Sequence, residues 1–105
     1  MFHWNKYDFI FDKNSLTEVD IITSFGELLR PDKICFIDGE VWIIDFKTSH
    51  NIDIIPDNYK NQLKKYKKYV GYVYPNKKIR TYIFWLNIIK MQEVIFWRKK
   101  MVFYQ

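Results

Sequence analysis

Three residues near the middle of the chain have the types and spacing of a metal-dependent hydrolytic site: Asp32 in LRPDKICFI, and Asp45 and Lys47 in EVWIIDFKTS. Between them lies Asp38-Gly39, the pair that a two-residue type I′ turn prefers because both central residues need positive φ. With those two at the turn, opposed residue numbers sum to 77, so Ile37 faces Glu40, Cys35 faces Trp42 and Asp32 faces Asp45. Directly opposed Cβ atoms in an antiparallel pair lie roughly 4.5–5.5 Å apart, where two carboxylates repel. A hard divalent cation reverses the local field and keeps both groups ionised. Strand alternation puts Lys47 on the same face as Asp45 and turns Phe46 the other way. A cation such as Mg²⁺ on carboxylate oxygen polarises a phosphate and acidifies a bound water. A lysine beside it positions that water or stabilises developing charge, so the chemistry within reach is phosphodiester hydrolysis. The Phe46 carbonyl could add a main-chain ligand, and Mn²⁺ suits the same oxygens as Mg²⁺.

A plainer reading stands beside this one. Asp32 follows Pro31 and fits a turn, and Asp45 with Lys47 fits a solvated sheet face. The pairing also needs a register free of bulges. Against the plain reading, Asp45 interrupts the apolar run VWIIDF, where an unpaired charge carries a desolvation cost.

The elements that must position these residues follow from periodicity. Residues 1–15 mix aromatics with Asp, Asn and Lys and read as an irregular lead-in. LTEVDIIT suggests a strand over Leu16–Thr23, closed by a turn at Ser24, Phe25 and Gly26. Leu28–Ile37 and Glu40–Thr48 are the two arms of the hairpin. Tyr59, Gln62, Leu63, Tyr66 and Val70 recur at helical spacing, which predicts a helix over about 57–70, started by Pro56-Asp57 and ended by Gly71. Lys64, Lys65, Lys67 and Lys68 then load its later turns. KIRTYIFWL and EVIFWRKKMVFY predict two further strands with a break near Asn87.

Composition agrees with one packed domain spanning 1–105: 49% of residues are apolar and 20% aromatic, with only three Gly and three Pro, too ordered a composition for a disordered chain. A net charge of +5 points to a polyanionic partner, nucleic acid or an acidic lipid surface. Cys35 is the only cysteine, which rules out an internal disulfide and fits a small buried hydrophobe. No signal peptide and no run of about 18 apolar residues is present, so a cytoplasmic protein without a membrane span is expected.

Taken together, RPDKI, IIDFKTS and YKNQLKKY resemble the RecB-like branch of the PD-(D/E)XK nucleases, as found at the C-terminal end of AddA-type and UvrD-like helicase-nucleases. The resemblance covers roughly Glu18 to Trp85. It implies an α/β, restriction-endonuclease-like core: a central mixed β-sheet, a hairpin carrying the site, and a flanking helix. By position it makes Asp32 and Asp45 metal-binding aspartates and Lys47 the catalytic lysine. Gln62 and Tyr66 correspond to the helical Gln and Tyr of that branch, one turn apart on one face, and Thr48 is a candidate phosphate contact. Glu18 is a weaker candidate, at the place of a first-strand glutamate. The family's N-terminal helix, with its extra metal ligand, has no counterpart ahead of Leu16. His3 is in the wrong setting to replace that ligand, and His50 reads as a loop histidine.

The function expected from the resemblance is a Mg²⁺-dependent deoxyribonuclease domain that processes DNA ends in recombination and repair beside a helicase, with Lys60, Lys64, Lys67 and Lys68 available to the DNA backbone. Two alternatives belong to other classes. One is a non-catalytic nucleic-acid module in which Trp42, Trp85 and Trp97 stack on bases. The other is a degenerate nuclease fold kept for protein contacts.

Overall fold

The computed structural model describes residues 6–12, 15–17, 19–49 and 53–96. Glu18, His3, His50 and Trp97 lie outside them. Strands β1 (Leu16–Thr17), β4 (Lys33–Ile37), β5 (Glu40–Lys47), β6 (Ile79–Trp85) and β7 (Lys90–Glu93) form one sheet in the order β1-β4-β5-β6-β7. Strands β2 (Ile21–Ile22) and β3 (Leu28–Leu29) make a separate hairpin. Helix α1 (Asp57–Val73) joins β5 to β6. Those two strands run parallel while their other neighbours are antiparallel, and a parallel pair requires such a crossover. The chain is thus a small α/β domain with a mixed five-stranded sheet, a hairpin and one flanking helix.

The Asp38-Gly39 turn forms as the sequence requires. Both residues have positive φ, 50° and 78°, and the register pairs Ile37 with Glu40, Cys35 with Trp42 and Lys33 with Ile44.

Elsewhere the sequence reading needs correction. Leu16–Thr23 is not one strand, since Leu16 and Thr17 pair with β4 while Ile21 and Ile22 pair with β3. The Thr23 hydroxyl ends β2 by accepting the backbone N–H of Phe25 and of Glu27. The run Leu28–Ile37 divides into β3 and β4 around Pro31, which has no N–H to give a ladder. Gly71 does not end α1: the helix continues to Val73, and the Tyr74 N–H donates to the Val70 carbonyl. The lysines therefore occupy the middle of the helix rather than its last turn, where the dipole would favour them most. The last predicted strand starts earlier than its apolar residues suggested. β7 is Lys90–Glu93, preceded by a turn over 86–89, and residues beyond 96 of EVIFWRKKMVFY fall outside the described part. The lead-in holds a short 3₁₀ turn over Asp8–Phe11.

Alternation along β5 divides the core into two layers. Val41 and Ile43 pack with Ile83, Trp85 and, from α1, Leu63, Tyr66 and Val70. On the opposite face Ile44 packs with Cys35, Tyr82, Phe84 and Ile10 from the 3₁₀ turn, so the lead-in covers the sheet face that α1 leaves open. Burial lifts the Cys35 thiol to about 11, which leaves it inert at neutral pH. Each fully buried aliphatic side chain contributes roughly 1.5–3 kcal/mol through removal from water. Ile43, fully buried at the centre of the helix-side layer, supports both β5 and the seat of α1. We expect Ile43→Ala to lower unfolding free energy by about 2–5 kcal/mol, measured by urea denaturation; a loss well below that range would mean the helix does not depend on this layer.

Candidate metal centre

The last ladder pair of the β4–β5 hairpin is Lys33 with Ile44, so Asp32 stands one residue beyond the strand, at the register position opposite Asp45. The chain bends there, which frees the Asp32 carboxylate to reach across: its Oδ2 accepts the Phe46 N–H at 2.9 Å. A residue's N–H and C=O leave a strand on the same edge, so the Phe46 carbonyl is aimed to the Asp32 side as well. The register position opposite Phe46 belongs to Pro31, which can donate nothing to that carbonyl. Asp32 therefore sits at a bend and still brings its carboxylate across to β5.

Asp45 is 3% exposed. Its proton affinity is pushed up to about 7, first by desolvation and next by the Asp32 carboxyl beside it, against the opposing pull of Lys47. The Lys47 ammonium lies 3.1 Å from Asp45 Oδ2, yet that buried oxygen receives no well-directed hydrogen bond. Charge proximity without a directed donor leaves an acceptor lone pair unserved, which is costly at this depth. Two adjacent carboxylates, one with an unserved buried oxygen, together with a main-chain carbonyl aimed at the same place, fit a hard divalent cation. Among the described residues no group of three or more His, Cys, Asp or Glu side chains gathers at one place. The groups that could hold such a cation here are Asp32, Asp45 and the Phe46 carbonyl.

Helix α1 supplies the wall above these groups. Gln62 Nε2 donates to the Tyr66 hydroxyl at 2.9 Å, and that hydroxyl donates to the Arg30 carbonyl at 3.2 Å. Burial and the nearby Asp45 and Asp32 charges raise the Tyr66 phenol above its ordinary range, so it remains a protonated donor. Gln62 and Tyr66 thus pair with each other and pin the segment that leads into Pro31-Asp32. The aromatic partner of Lys47 is a different residue, Tyr59, whose ring centroid lies 4.6 Å from the ammonium. The sequence reading counted Tyr59 only as part of the helix's apolar stripe. Its place three and seven residues before Gln62 and Tyr66, on the same face, was the available signal. A further contact had no local signal: Asn87, in the β6–β7 turn, donates to the Ser49 carbonyl at 2.7 Å and accepts the Ser49 N–H, fixing the chain just past Thr48.

The remaining candidates lie just past β5 and on α1. Thr48 is exposed at the end of β5. Lys60, Lys64 and Lys68 are exposed on α1, and Lys64 and Lys68 line a shallow depression with Lys65 and Asn61. Lys67 is half-buried and lines a separate depression with Lys78, Arg80 and Glu93 on the β6–β7 side. The four lysines follow i, i+4, i+7, i+8 spacing, which sets them along one side of α1, with Lys67 the least exposed of them.

Comparison with known proteins returns nothing: no family model, no curated protein and no solved structure matches the chain.

A carboxyl whose proton affinity rises on folding holds a proton that the unfolded chain has released. Its stabilising effect is complete below about pH 4 and is lost as pH rises through about 7. With chelator present, melting temperature should fall between about pH 5 and about pH 8 by more in the wild type than in Asp45→Asn, which cannot ionise. Equal slopes in scanning calorimetry would contradict the burial and pairing described for Asp45.

Proposed function

We propose that this chain is a divalent-cation-dependent nuclease domain of the PD-(D/E)XK type, acting on DNA phosphodiester bonds, with Mg²⁺ or Mn²⁺ as its cofactor and a restriction-endonuclease-like core. The observation that carries the proposal is the buried Asp45 carboxylate. It stands beside Asp32, has an oxygen without a directed donor, and shares its strand face with Lys47. A structural ion pair explains Lys47 against Asp45, and the Phe46 N–H accounts for one oxygen of Asp32; neither offsets the charge of a second carboxylate beside a buried one.

The metal, when bound, would supply Lewis-acid stabilisation of the phosphate and acidify the attacking water. Asp32 and Asp45 would hold it, and the Phe46 N–H fixes the orientation of the Asp32 carboxylate. Lys47, held between Asp45 and the Tyr59 ring, has a side chain that is 24% exposed. So placed, it can orient a water for attack or neutralise charge developing on a phosphate oxygen. Tyr66 and Gln62 act as positioning residues: they tether the Arg30 carbonyl and so fix the approach to Asp32. All of these groups lie where the parallel β5–β6 pair ends, the side of an α/β sheet on which ligands commonly bind. The net charge of +5 favours a polyanion, with Lys64 and Lys68 placed to add salt-sensitive affinity. DNA end processing beside a helicase, the setting implied by the resemblance, belongs to the same proposal.

The alternative of an aromatic base-stacking surface finds less support. Trp85 is fully buried, and Trp42 packs edge-on against Phe9 and beside Tyr82, so neither offers an open face. Among the described residues no helix is long and apolar enough to cross a membrane.

Linear single- and double-stranded DNA incubated with Mg²⁺ or Mn²⁺ should be cut by the wild type, with rate losses of at least about 100-fold in Asp45→Ala and in Lys47→Ala. Cutting that survives in both folded variants, or that needs no metal, would overturn the assignment.

A further inference from the structure

Next to the metal centre, a cleft of about 430 Å³ opens between β3 and the first half of α1. Three carboxamides line it from the helix, Asn58, Asn61 and Gln62, at the i, i+3, i+4 spacing that places side chains together on one face. The facing wall is β3, where Leu28 is exposed and Leu29 is buried in the core. The charged groups at its rim are neutralised locally: Lys65 pairs with Glu27 at 2.6 Å, and Arg30 pairs with Asp20 at 2.6 Å. The side-chain amides of Asn58 and Asn61 take no part in any hydrogen bond among the described residues. Gln62 gives one N–H to Tyr66 and keeps its carbonyl oxygen. The cleft therefore presents donors and acceptors in pairs, one apolar wall and no net charge, while the phosphate-handling charges lie on the other side of Tyr66.

We propose that this cleft seats a neutral nucleobase from a single-stranded or frayed stretch of the substrate, flanking the phosphate held at Asp32 and Asp45. Carboxamides match base edges, which carry adjacent donors and acceptors, better than they match phosphate. A base stacked in a duplex cannot enter such a cleft, whereas an unstacked one can, its ring lying along the β3 wall. The size fits one small ligand of this kind. The identification of the ligand as a nucleotide rests on the nuclease reading; the neutral, amide-lined character of the cleft does not.

The test is fluorescence anisotropy with a short labelled single-stranded DNA of mixed sequence, an equal-length strand of abasic residues, and a blunt duplex, all with chelator so that no cutting occurs. Wild type is compared with an Asn58→Ala, Asn61→Ala double variant, whose substitutions are exposed and favour the helix. The proposal expects the double variant to lose roughly 10-fold affinity for the mixed-sequence strand, with an unchanged salt slope, because no phosphate contact is removed. It also expects no loss for the abasic strand or the duplex. Equal losses on all three probes, or none on any, would overturn it. The nuclease reading is scored separately by metal-dependent cutting. Cutting with no amide dependence of binding removes the cleft and keeps the nuclease, and base-dependent binding without cutting does the reverse.

Discussion

The structure is organised around the cost of placing Asp45 in the apolar helix-side face of β5. An ionised carboxylate at 3% exposure is tolerated only if neutralised, paired or bound to a cation. The neighbouring features read as responses to that constraint. Lys47 returns along the same face to 3.1 Å, and Tyr59 caps its ammonium. Asp32 opposes this settlement by adding a second negative group. In a purely structural ion pair Asp32 is a liability; beside a divalent cation it is a ligand.

Three devices hold the arrangement in place, and they act on different elements. The Asp38-Gly39 turn sets the register that brings Asp32 opposite Asp45. Pro31 stops β4 before the site, so the Asp32 carboxylate replaces a strand partner in serving the Phe46 N–H. Tyr66, bonded to Gln62 and to the Arg30 carbonyl, ties this bend to α1, whose own position is fixed by Leu63 and Val70 against Ile43 and Ile83. Proline, turn and helix thus converge on one short stretch, Arg30-Pro31-Asp32.

The parts of this account that were legible in the sequence are those governed by local chemistry. Asp-Gly between two apolar runs favours a type I′ turn, period-two alternation places Asp45 and Lys47 together, and the apolar stripe from Tyr59 to Val70 defines the buried face of α1. The parts that were not legible depend on partners distant in sequence. Nothing in LTEVDIIT says that its two ends join different sheets, since the choice is made by β4 and β3. Gly71 looked like a stop because glycine often ends helices, but the next turn closed with ordinary helical bonding. The Lys47–Tyr59 and Asn87–Ser49 contacts need the fold before they can be seen. The helix lysines share one side of α1 as their spacing requires, while the partial burial of Lys67 beside Lys78, Arg80 and Glu93 depends on β6 and β7, distant in sequence.

The most direct test of the central claim is whether Asp32 and Asp45 together hold one divalent cation. Isothermal titration of Mn²⁺ into the metal-free protein should show a single site per chain, lost in Asp32→Asn and in Asp45→Asn and retained in Lys47→Met. Failure of the folded wild type to bind, or binding that persists in both aspartate variants, would contradict the account and leave the pairing of Asp32 with the buried Asp45 without a role.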